Sequence, residues 1–361
     1  MNQTSRPSSL RWLGVAISLA LIASFSLEGF SITSQAKKKQ QHTRDSTRVL
    51  WRDPGNIGQR DLYYGPGSKE RAPKPPFRFL KEDKQGGMPK FDVEDARGVK
   101  WRVKLGPEAQ AETVSTRLVW AMGYNAEESY YFDRAHVSGM KRLSRGQQYV
   151  AGESVRGARF EARRDNLKHG KNWDWSKNPF KNTREMGGLK TMMVLLNNWD
   201  VFKKNNRVIH VKDGNEELYT VTDLGATLGS AGGFGGRRRT KNNLQDFQKY
   251  RMVRKVEDGQ VKFDYNIKPK GLGLLTIAYP PYFFRQRKAN SAISKVPIDH
   301  ALWIGSQLAQ LSDDQLRDSF RAAGYDRATT EGYVRTLRRR INDLNQIRQS
   351  QLASRQRRVH R

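Results

Sequence analysis

A lysine and a glutamate in the first third of the chain have a spacing that suits nucleotide chemistry. The segment Val99 to Leu105 alternates apolar and charged residues, which predicts a strand with Lys104 near its end. Glu112 follows eight residues later, in a stretch whose apolar spacing predicts a helix. In phosphoryl transfer from a nucleotide, a strand lysine holds the phosphates and a helix carboxylate holds that lysine. The pair therefore fits the phosphate-binding half of such a site.

Two aspartates and an asparagine further along the chain fit the other half. Asp200 and Asn205 are five residues apart, directly after a predicted buried helix, and this spacing matches a kinase catalytic loop. Asp223 begins an Asp-Leu-Gly tripeptide after two short predicted strands, where a kinase has its metal-binding Asp-Phe-Gly. Phosphoryl transfer needs an acid that orients the attacking hydroxyl, and an amide and a carboxylate that hold metal ions. The five residues occur in the required order.

This ordered set resembles the atypical branch of the protein-kinase-like superfamily, and within it the HipA-like bacterial kinases and the secretory-pathway kinases. In HipA-like chains a helix glutamate precedes a terminal glycine by about the spacing from Glu112 to Gly123. Their catalytic loop also ends in Lys-Asn, as it does here at Lys204 and Asn205. The resemblance covers roughly residues 77–230 and extends less clearly to 345.

The resemblance implies a fold, a cofactor set and a role for each residue. The fold is a two-lobed α+β kinase-like fold, and the cofactors are ATP with Mg²⁺ or Mn²⁺. Lys104 would contact the phosphates and Glu112 would pair with it. Asp200 would be the catalytic acid/base, and Asn205 and Asp223 would hold the metal ion.

Some kinase features are replaced or missing. The first two predicted strands are joined by Gly86-Gly87 in place of a full Gly-x-Gly-x-x-Gly motif, and these two glycines are the candidates for covering the phosphates. No His-Arg precedes Asp200, and Phe202 stands two residues after it. The sequence leaves two alternatives open: phosphoryl transfer to an unknown protein, lipid or glycan, or nucleotide binding without transfer.

The elements that must position these residues are predicted to form an α+β protein in two lobes. Three strand-like segments, at 77–80, 91–93 and 99–105, predict an antiparallel meander, and a helix follows from Pro107 to Gly123. Helical patterns dominate the second half of the chain. We expect a small lobe at 77–165, with antiparallel strands and one helix, and a mainly helical lobe at 166–345.

The two ends of the chain have different compositions from the middle. Residues 1–36 combine a positive start, a 13-residue apolar run from Leu13 to Phe25 and small residues near Ala36, which predicts a signal peptide and export from the cell. Residues 37–76 are basic and rich in Pro and Gly, typical of a linker or an arm that wraps the domain. Residues 346–361 form a predicted basic tail.

The charge composition suggests partners and a second function. Lys and Arg number 66 against 36 Asp and Glu, a formal net charge of +30. Such a charge attracts nucleotides, anionic lipid, cell-wall polymer or another polyanion. The alternative function is therefore a non-catalytic, pseudokinase-like envelope protein that binds such polymers or lipids. The chain has no cysteine, which excludes disulfides, cysteine-bound zinc and a thiol nucleophile. Glu127 and Glu128 are predicted to be surface charges.

Overall fold

The computed structural model describes residues 46–212, 214–232, 239–265, 267 and 280–359. Contacts divide the chain into two units, Met1–Asp45 and Ser46–Arg361, and every described residue belongs to the second. The predicted signal peptide, 1–36, lies outside the described residues. Within the described part, no helix has the length and apolar character that a membrane crossing requires.

The second unit is a mixed α+β structure. In the described part, thirteen strands fall into three sheets, and seven α-helices accompany them. The strands are β1 Thr47–Val49, β2 Phe77–Asp83, β3 Lys90–Glu94, β4 Lys100–Leu105, β5 Ser129–Ser138, β6 Val150–Ala151, β7 Ser154–Ala162, β8 Leu167–His169, β9 Asn206–Val211, β10 Glu216–Val221, β11 Val253–Glu257, β12 Gln260–Phe263 and β13 Lys295–Pro297. The helices are α1 Glu108–Ala121, α2 Arg184–Leu195, α3 Leu244–Gln248, α4 Pro280–Ile293, α5 Ile298–Leu308, α6 Asp313–Arg321 and α7 Arg327–Val359.

The largest sheet closes on itself. β2, β3 and β4 form the predicted antiparallel meander, which is confirmed. β4 then pairs with β7, β7 with β5, and β5 runs parallel to β2 and completes the ring. Alternation along each strand sends apolar side chains inward, where Phe91, Trp101 and Phe160 form a core of their own. The charged side chains of the same strands consequently lie on the outer face.

Helix α1 covers part of that outer face. It starts after Pro107, and the predicted end at Gly123 is confirmed by the positive φ of +86° there. A Cβ on Gly123 would lie 2.1 Å from the backbone oxygen of Arg52, so only glycine fits. Val114 and Leu118 of α1 belong to the larger core of the molecule, together with side chains of α2, α5 and α7. Helix α1 thus places one face on charged strands and another in an apolar core.

The second sheet has the strand order β1-β10-β9-β8. Strand β9 follows the loop that contains Asp200 and Asn205, and β10 precedes the segment that contains Asp223. Its edge strand β1 comes from the segment 46–76, which packs along the domain: Leu50, Ile57 and Leu62 are buried in the larger core. The side chain of Gln315 donates to the backbone oxygens of Ile57 and Arg60. The described part of the segment that was predicted to be a linker or an arm therefore packs against the domain, as an arm does.

Local signals in the second half are also confirmed. Asp258 and Gly259 both have positive φ and join β11 to β12 as the predicted tight hairpin. Ser312 and Gln315 form the predicted capping box at the start of α6. The backbone of α7 stays helical to Val359, through most of the predicted basic tail at 346–361. The division into two lobes, at 77–165 and 166–345, stays a prediction.

Candidate functional site

Lys104 and Glu112 are in direct contact. The Nζ of Lys104 donates to the Oε1 of Glu112 at 2.9 Å, so the helix carboxylate reaches back to the strand. A second carboxylate, Glu161 on β7, lies 3.2 Å from the same Nζ. Burial would lower the pKa of Lys104, but Glu112 and Glu161 raise it above its usual value. The lysine is therefore a permanently charged group, 21 % exposed, between two acids.

A fully buried arginine joins the two acids to each other. Arg159 faces Lys104 in the register between β4 and β7, and its Nη1 lies 3.0 Å from Glu161 and 3.3 Å from Glu112. Burial would raise the pKa of the Glu161 carboxyl, but Lys104 and Arg159 hold it well below its usual range. Arg159 thus holds both carboxylates in place around the lysine. We call these four residues and Glu127 the lysine cluster.

Glu127 is the third acid of the lysine cluster. Its Oε2 lies 3.6 Å from the Nη2 of Arg159, and its side chain is only 13 % exposed. Glu128 is similarly covered and pairs with Arg164 at 2.6 Å. The prediction that Glu127 and Glu128 are surface charges is wrong, because the loop after α1 turns both side chains toward arginines of β7 and the segment behind it. Burial and the neighbouring Glu161 raise the pKa of Glu127.

Asp200 and Asn205 lie in one tight loop between α2 and β9. The Nδ2 of Asn205 donates to the backbone oxygen of Asp200 at 2.6 Å. The side chain of Asn198 accepts from the Asp200 backbone N–H at 3.0 Å. Because Asn205 donates through its amide nitrogen, its Oδ1 is the atom with which it would ligate a cation. The spacing of five therefore corresponds to a real local contact.

Backbone hydrogen bonds join this loop to the segment that carries Asp223. The Thr222 N–H and hydroxyl both donate to the backbone oxygen of Asn205, at 2.9 and 3.2 Å. The N–H of Trp199 donates to the oxygen of Ala226 at 3.2 Å. Asp223 directly follows Thr222, so it lies beside the Asp200 loop.

Asp223 also lies close to helix α1. A Cβ on Gly225 would lie 2.9 Å from the Cβ of Glu108, so the Asp-Leu-Gly segment packs against the first turn of the helix. Burial raises the pKa of Glu108, with smaller contributions in the same direction from Asp223 and Glu112, while Lys241 forms an ion pair with it. Glu108 is one helical turn before Glu112. Asp223 and Glu112 of the lysine cluster thus both lie near Glu108, in the N-terminal part of α1.

Gly86 and Gly87 lie in the turn between β2 and β3. The backbone oxygen of Gly86 accepts from Arg145, which also donates to the oxygen of Lys84 at 2.7 Å. Lys90, just after this turn, is the register partner of Lys104. The two glycines are therefore at the same end of the sheet as the lysine.

A second buried arginine anchors the Asp200 loop. Arg340 of α7 donates to the backbone oxygens of Leu195 and Phe247, each at 2.8 Å, and to the Oδ1 of Asn197 at 3.2 Å. Asn197 in turn donates to the backbone oxygen of Gly229 at 2.8 Å, and Gly229 follows the Asp-Leu-Gly segment in the sequence. Burial lowers the pKa of Arg340 to about 9. Helix α7 therefore fixes the loop through neutral oxygen acceptors.

The side chains of the candidate site provide only part of the ligands that a metal ion needs. Among the described residues, no group of three or more His, Cys, Asp or Glu side chains could by itself hold a metal ion. Magnesium in phosphotransfer sites usually takes one or two protein carboxylates and completes its shell with phosphate oxygens and water. Asp223 with the amide of Asn205 fits that pattern, with the phosphates supplied by a nucleotide.

Sequence reasoning missed two members of the lysine cluster. Arg159 and Glu161 belong to β7, in the segment 138–182, whose sequence predicts no clear secondary structure. The signal that could have found them is the alternation of buried Ala158 and Phe160 with Arg159 and Glu161. Arg340, outside the cluster, was missed because arginine at a buried helix position is rare.

Comparison with solved structures finds a similarity to a Helicobacter pylori proinflammatory kinase, CtkA. The TM-score is 0.43 and the sequence identity 10%, over 77% of this chain and 99% of that one. At this level the activity of that protein is not transferred to this chain. No protein-family model and no curated protein sequence matches.

Proposed function

We propose that this protein is a kinase-like phosphotransferase that binds ATP with Mg²⁺ or Mn²⁺. The observation that carries the proposal is the contact between Lys104 and Glu112. Glu112 lies near the N-terminal end of α1, and the Asp223 segment packs against Glu108 at that same end. A strand lysine held by a helix carboxylate, next to an aspartate for a metal ion, is the arrangement that nucleotide phosphates require.

Each residue has a role that its contacts support. Lys104, charged at any physiological pH, would bind the phosphates, and Glu112 would fix its position. The carboxylate of Asp200 would accept a hydrogen bond from the acceptor hydroxyl, orient it and take its proton as the phosphoryl group transfers. Asp223 and the Oδ1 of Asn205 would hold the metal ion, which when bound offsets the charge of the phosphates.

The direct experiment is a thermal shift with ATP, with and without Mn²⁺. A ligand that binds the folded but not the unfolded protein raises the melting temperature, and we expect that rise only when nucleotide and metal are both present. Lys104→Met and Asp223→Asn should each remove it. Lys100→Met, at an exposed lysine on the same strand, is the matched control and should retain it.

Two outcomes would separate the alternatives. If the wild-type protein shows no shift with any divalent ion, the enzyme proposal is wrong and the basic polyanion-binding protein is favoured. If the shift is present but radioactive γ-phosphate is transferred neither to the protein itself nor to protein, lipid or glycan acceptors, nucleotide binding without transfer is favoured.

A further inference from the structure

The third sheet has a free edge that borders a groove. Its strand order is β11-β12-β13, so in the described part of the chain β11 has a strand partner on one side only. A groove of about 660 Å³ lies between β11 and helix α7. Val253, Lys255 and Val256 line it on the strand side, and Arg339 and Asp343 line it on the helix side. A strand edge that is open in this way can pair with a strand of another molecule.

The register of the hairpin shows which backbone groups face the groove. A two-residue turn joins β11 to β12, and Glu257 and Gln260 flank it as register partners. Residues that flank such a turn exchange both backbone hydrogen bonds, and the next pair along, Val256 with Val261, does not. The N–H and C=O of Val256 therefore point away from β12, on the side of the groove that this residue lines. The side chain of Val256 is also 41 % exposed.

Two of the four cations that line the groove are already paired. The Nζ of Lys249 lies 3.0 Å from a carboxylate oxygen of Asp246, and the Nζ of Lys255 lies 2.9 Å from one of Glu257. Glu257 also forms an ion pair with Lys262. The charges of these two lysines are therefore balanced within the domain, and they do not require an acidic ligand.

The two arginines of the groove, Arg251 and Arg339, are not balanced in this way. In the described part of the chain neither has a carboxylate within ion-pair distance, and Arg339 donates to the backbone oxygen of Gln248 at 2.9 Å. Both residues are exposed. The one acid in the lining, Asp343, lies near the buried Arg340, whose charge it offsets. Two guanidinium groups thus remain without an anion, and carboxylates match their geometry.

We propose that this groove binds an extended acidic peptide of a partner protein, which adds a strand to the free edge of β11. The peptide backbone exchanges hydrogen bonds with Val256, and its carboxylates pair with Arg251 and Arg339. The site does not depend on the proposed phosphotransfer.

The charge and the backbone groups of the groove select this occupant. The three longer segments of this chain outside the described residues, 1–45, 233–238 and 268–279, each have a net positive charge, so they do not fit the groove. Arg254 and Lys255 on the edge strand would repel a second copy of the chain. A nucleic acid would satisfy the arginines, but it has no peptide N–H and C=O groups for the strand edge.

The test is fluorescence anisotropy of labelled probes with the full chain, without nucleotide. The main probe is a short capped peptide of alternating Glu and Val, for which we expect saturable binding. The same peptide with Lys in place of Glu should not bind. A peptide of equal charge with two consecutive Pro at its centre loses an N–H on each of its edges and should bind about tenfold more weakly. Labelled oligothymidylate is the control for a polyanion without a peptide backbone.

Variants locate the site on the protein. Val256→Pro removes the N–H that faces the groove, and proline is tolerated at such a position of an edge strand. It should weaken binding of the Glu-Val peptide about tenfold, and so should Arg251→Gln. Arg134→Gln is the matched control, because it removes the charge of an exposed arginine on β5 that has no ion pair in the described part of the chain. It should bind like wild type.

Three results would overturn the proposal. The first is no binding of the Glu-Val peptide, and the second is equal binding of the peptide that contains proline. The third is oligothymidylate that binds as tightly as the peptide and is weakened by Arg251→Gln while Val256→Pro leaves the affinity of both probes unchanged, which would indicate a general polyanion surface. If Val256→Pro does not fold, the comparison of the two peptides decides.

Discussion

The two halves of the candidate site are held together by different forces. The lysine cluster consists of side chains on regular elements and the loop after α1, joined by ion pairs in which Arg159 contacts three carboxylates. The loops that carry Asp200 and Asp223 are joined mainly by hydrogen bonds to backbone oxygens, and Arg340 contributes four contacts to neutral acceptors. Each region contains one arginine that is almost fully buried.

The difference shows how the two halves are prepared for a ligand. The cation that would meet the phosphates is already charged and fixed by its acids. The side chains that would meet a metal ion, those of Asn205 and Asp223, are placed by hydrogen bonds of their loops to backbone oxygens, and a bound ion would balance the charge of Asp223. Under the proposed function, the site is preorganised on its cationic side, and nucleotide and metal would complete its acidic side.

Removal of the arginine in the lysine cluster should have the largest effect on stability. Arg159→Met leaves the buried carboxylates of Glu112 and Glu161 with one lysine, and we expect the free energy of unfolding at pH 7 to fall by about 3–5 kcal/mol. Chemical denaturation measures this, with Arg156→Met, exposed on the same strand, as the control.

The same variant has a pH signature. The pKa of Glu161 is lowered in the folded protein, so its stabilising contribution is present above the unfolded pKa of about 4.3 and is lost as pH falls below it. The deficit of Arg159→Met should therefore shrink below about pH 4. A deficit under about 1 kcal/mol at pH 7 would contradict the ion-pair account.

Removal of the other arginine should cost less. Arg340→Met leaves buried oxygens of Leu195 and Phe247 without a donor, for which we expect a loss of about 1–3 kcal/mol. Amide hydrogen exchange should speed up in residues 197–206, while the strands of the closed sheet keep their protection. Arg335→Met, at an exposed position on the same helix, is the control and should leave stability and exchange unchanged. If residues 197–206 exchange at the same rate in Arg340→Met as in the wild type, α7 does not anchor that loop.

Glu127 offers a stabilising substitution in the lysine cluster. Burial raises its pKa to about 8, so the folded state binds the proton more tightly than the unfolded state between about pH 4.3 and 8. The contribution of Glu127 to the stability of the wild-type protein therefore falls as pH rises across that window. Glu127→Gln should be neutral at pH 4 and more stable than wild type by several kcal/mol at pH 8, as measured by chemical denaturation. A gain that does not depend on pH would assign the effect to packing.

The smallest effect on stability is expected on the acidic side. Without nucleotide, Asp223→Asn should change the free energy of unfolding by no more than about 0.5 kcal/mol, since asparagine suits the same turn. The same denaturation experiment measures it. A loss of several kcal/mol would show that the role of Asp223 is to stabilise the fold. Asp223 would then no longer be assigned as a metal ligand.

The sequence predicted contacts that are local and missed those that are not. Lys104 and Glu112 were found because a strand and the helix after it bring residues eight apart together. Asp200 and Asn205 were found because their loop is short. Arg159 was missed because its position depends on the pairing of β4 with β7, which local periodicity does not contain.

The sequence also failed to predict which charged side chains are buried. Glu127 and Glu128 were expected at the surface because acidic residues usually lie there, and the arginines that cover them come from distant segments. The same reason hid Arg340, whose neighbours Leu337, Ile341 and Leu344 do show the helical spacing of a buried face. Composition described the charge of the chain well, but the ion pairs required the fold.

Under the proposed function, Lys104 and Asp223 act on one nucleotide. A crystal structure with Mn²⁺ and a non-hydrolysable ATP analogue tests it directly, because the anomalous signal of manganese locates the ion. We expect Mn²⁺ bound by Asp223 and the Oδ1 of Asn205 at about 2.0–2.3 Å, with a phosphate oxygen within hydrogen-bond distance of the Nζ of Lys104. A nucleotide that binds elsewhere, or phosphates that contact Lys104 while the ion lies away from Asp223, would contradict it.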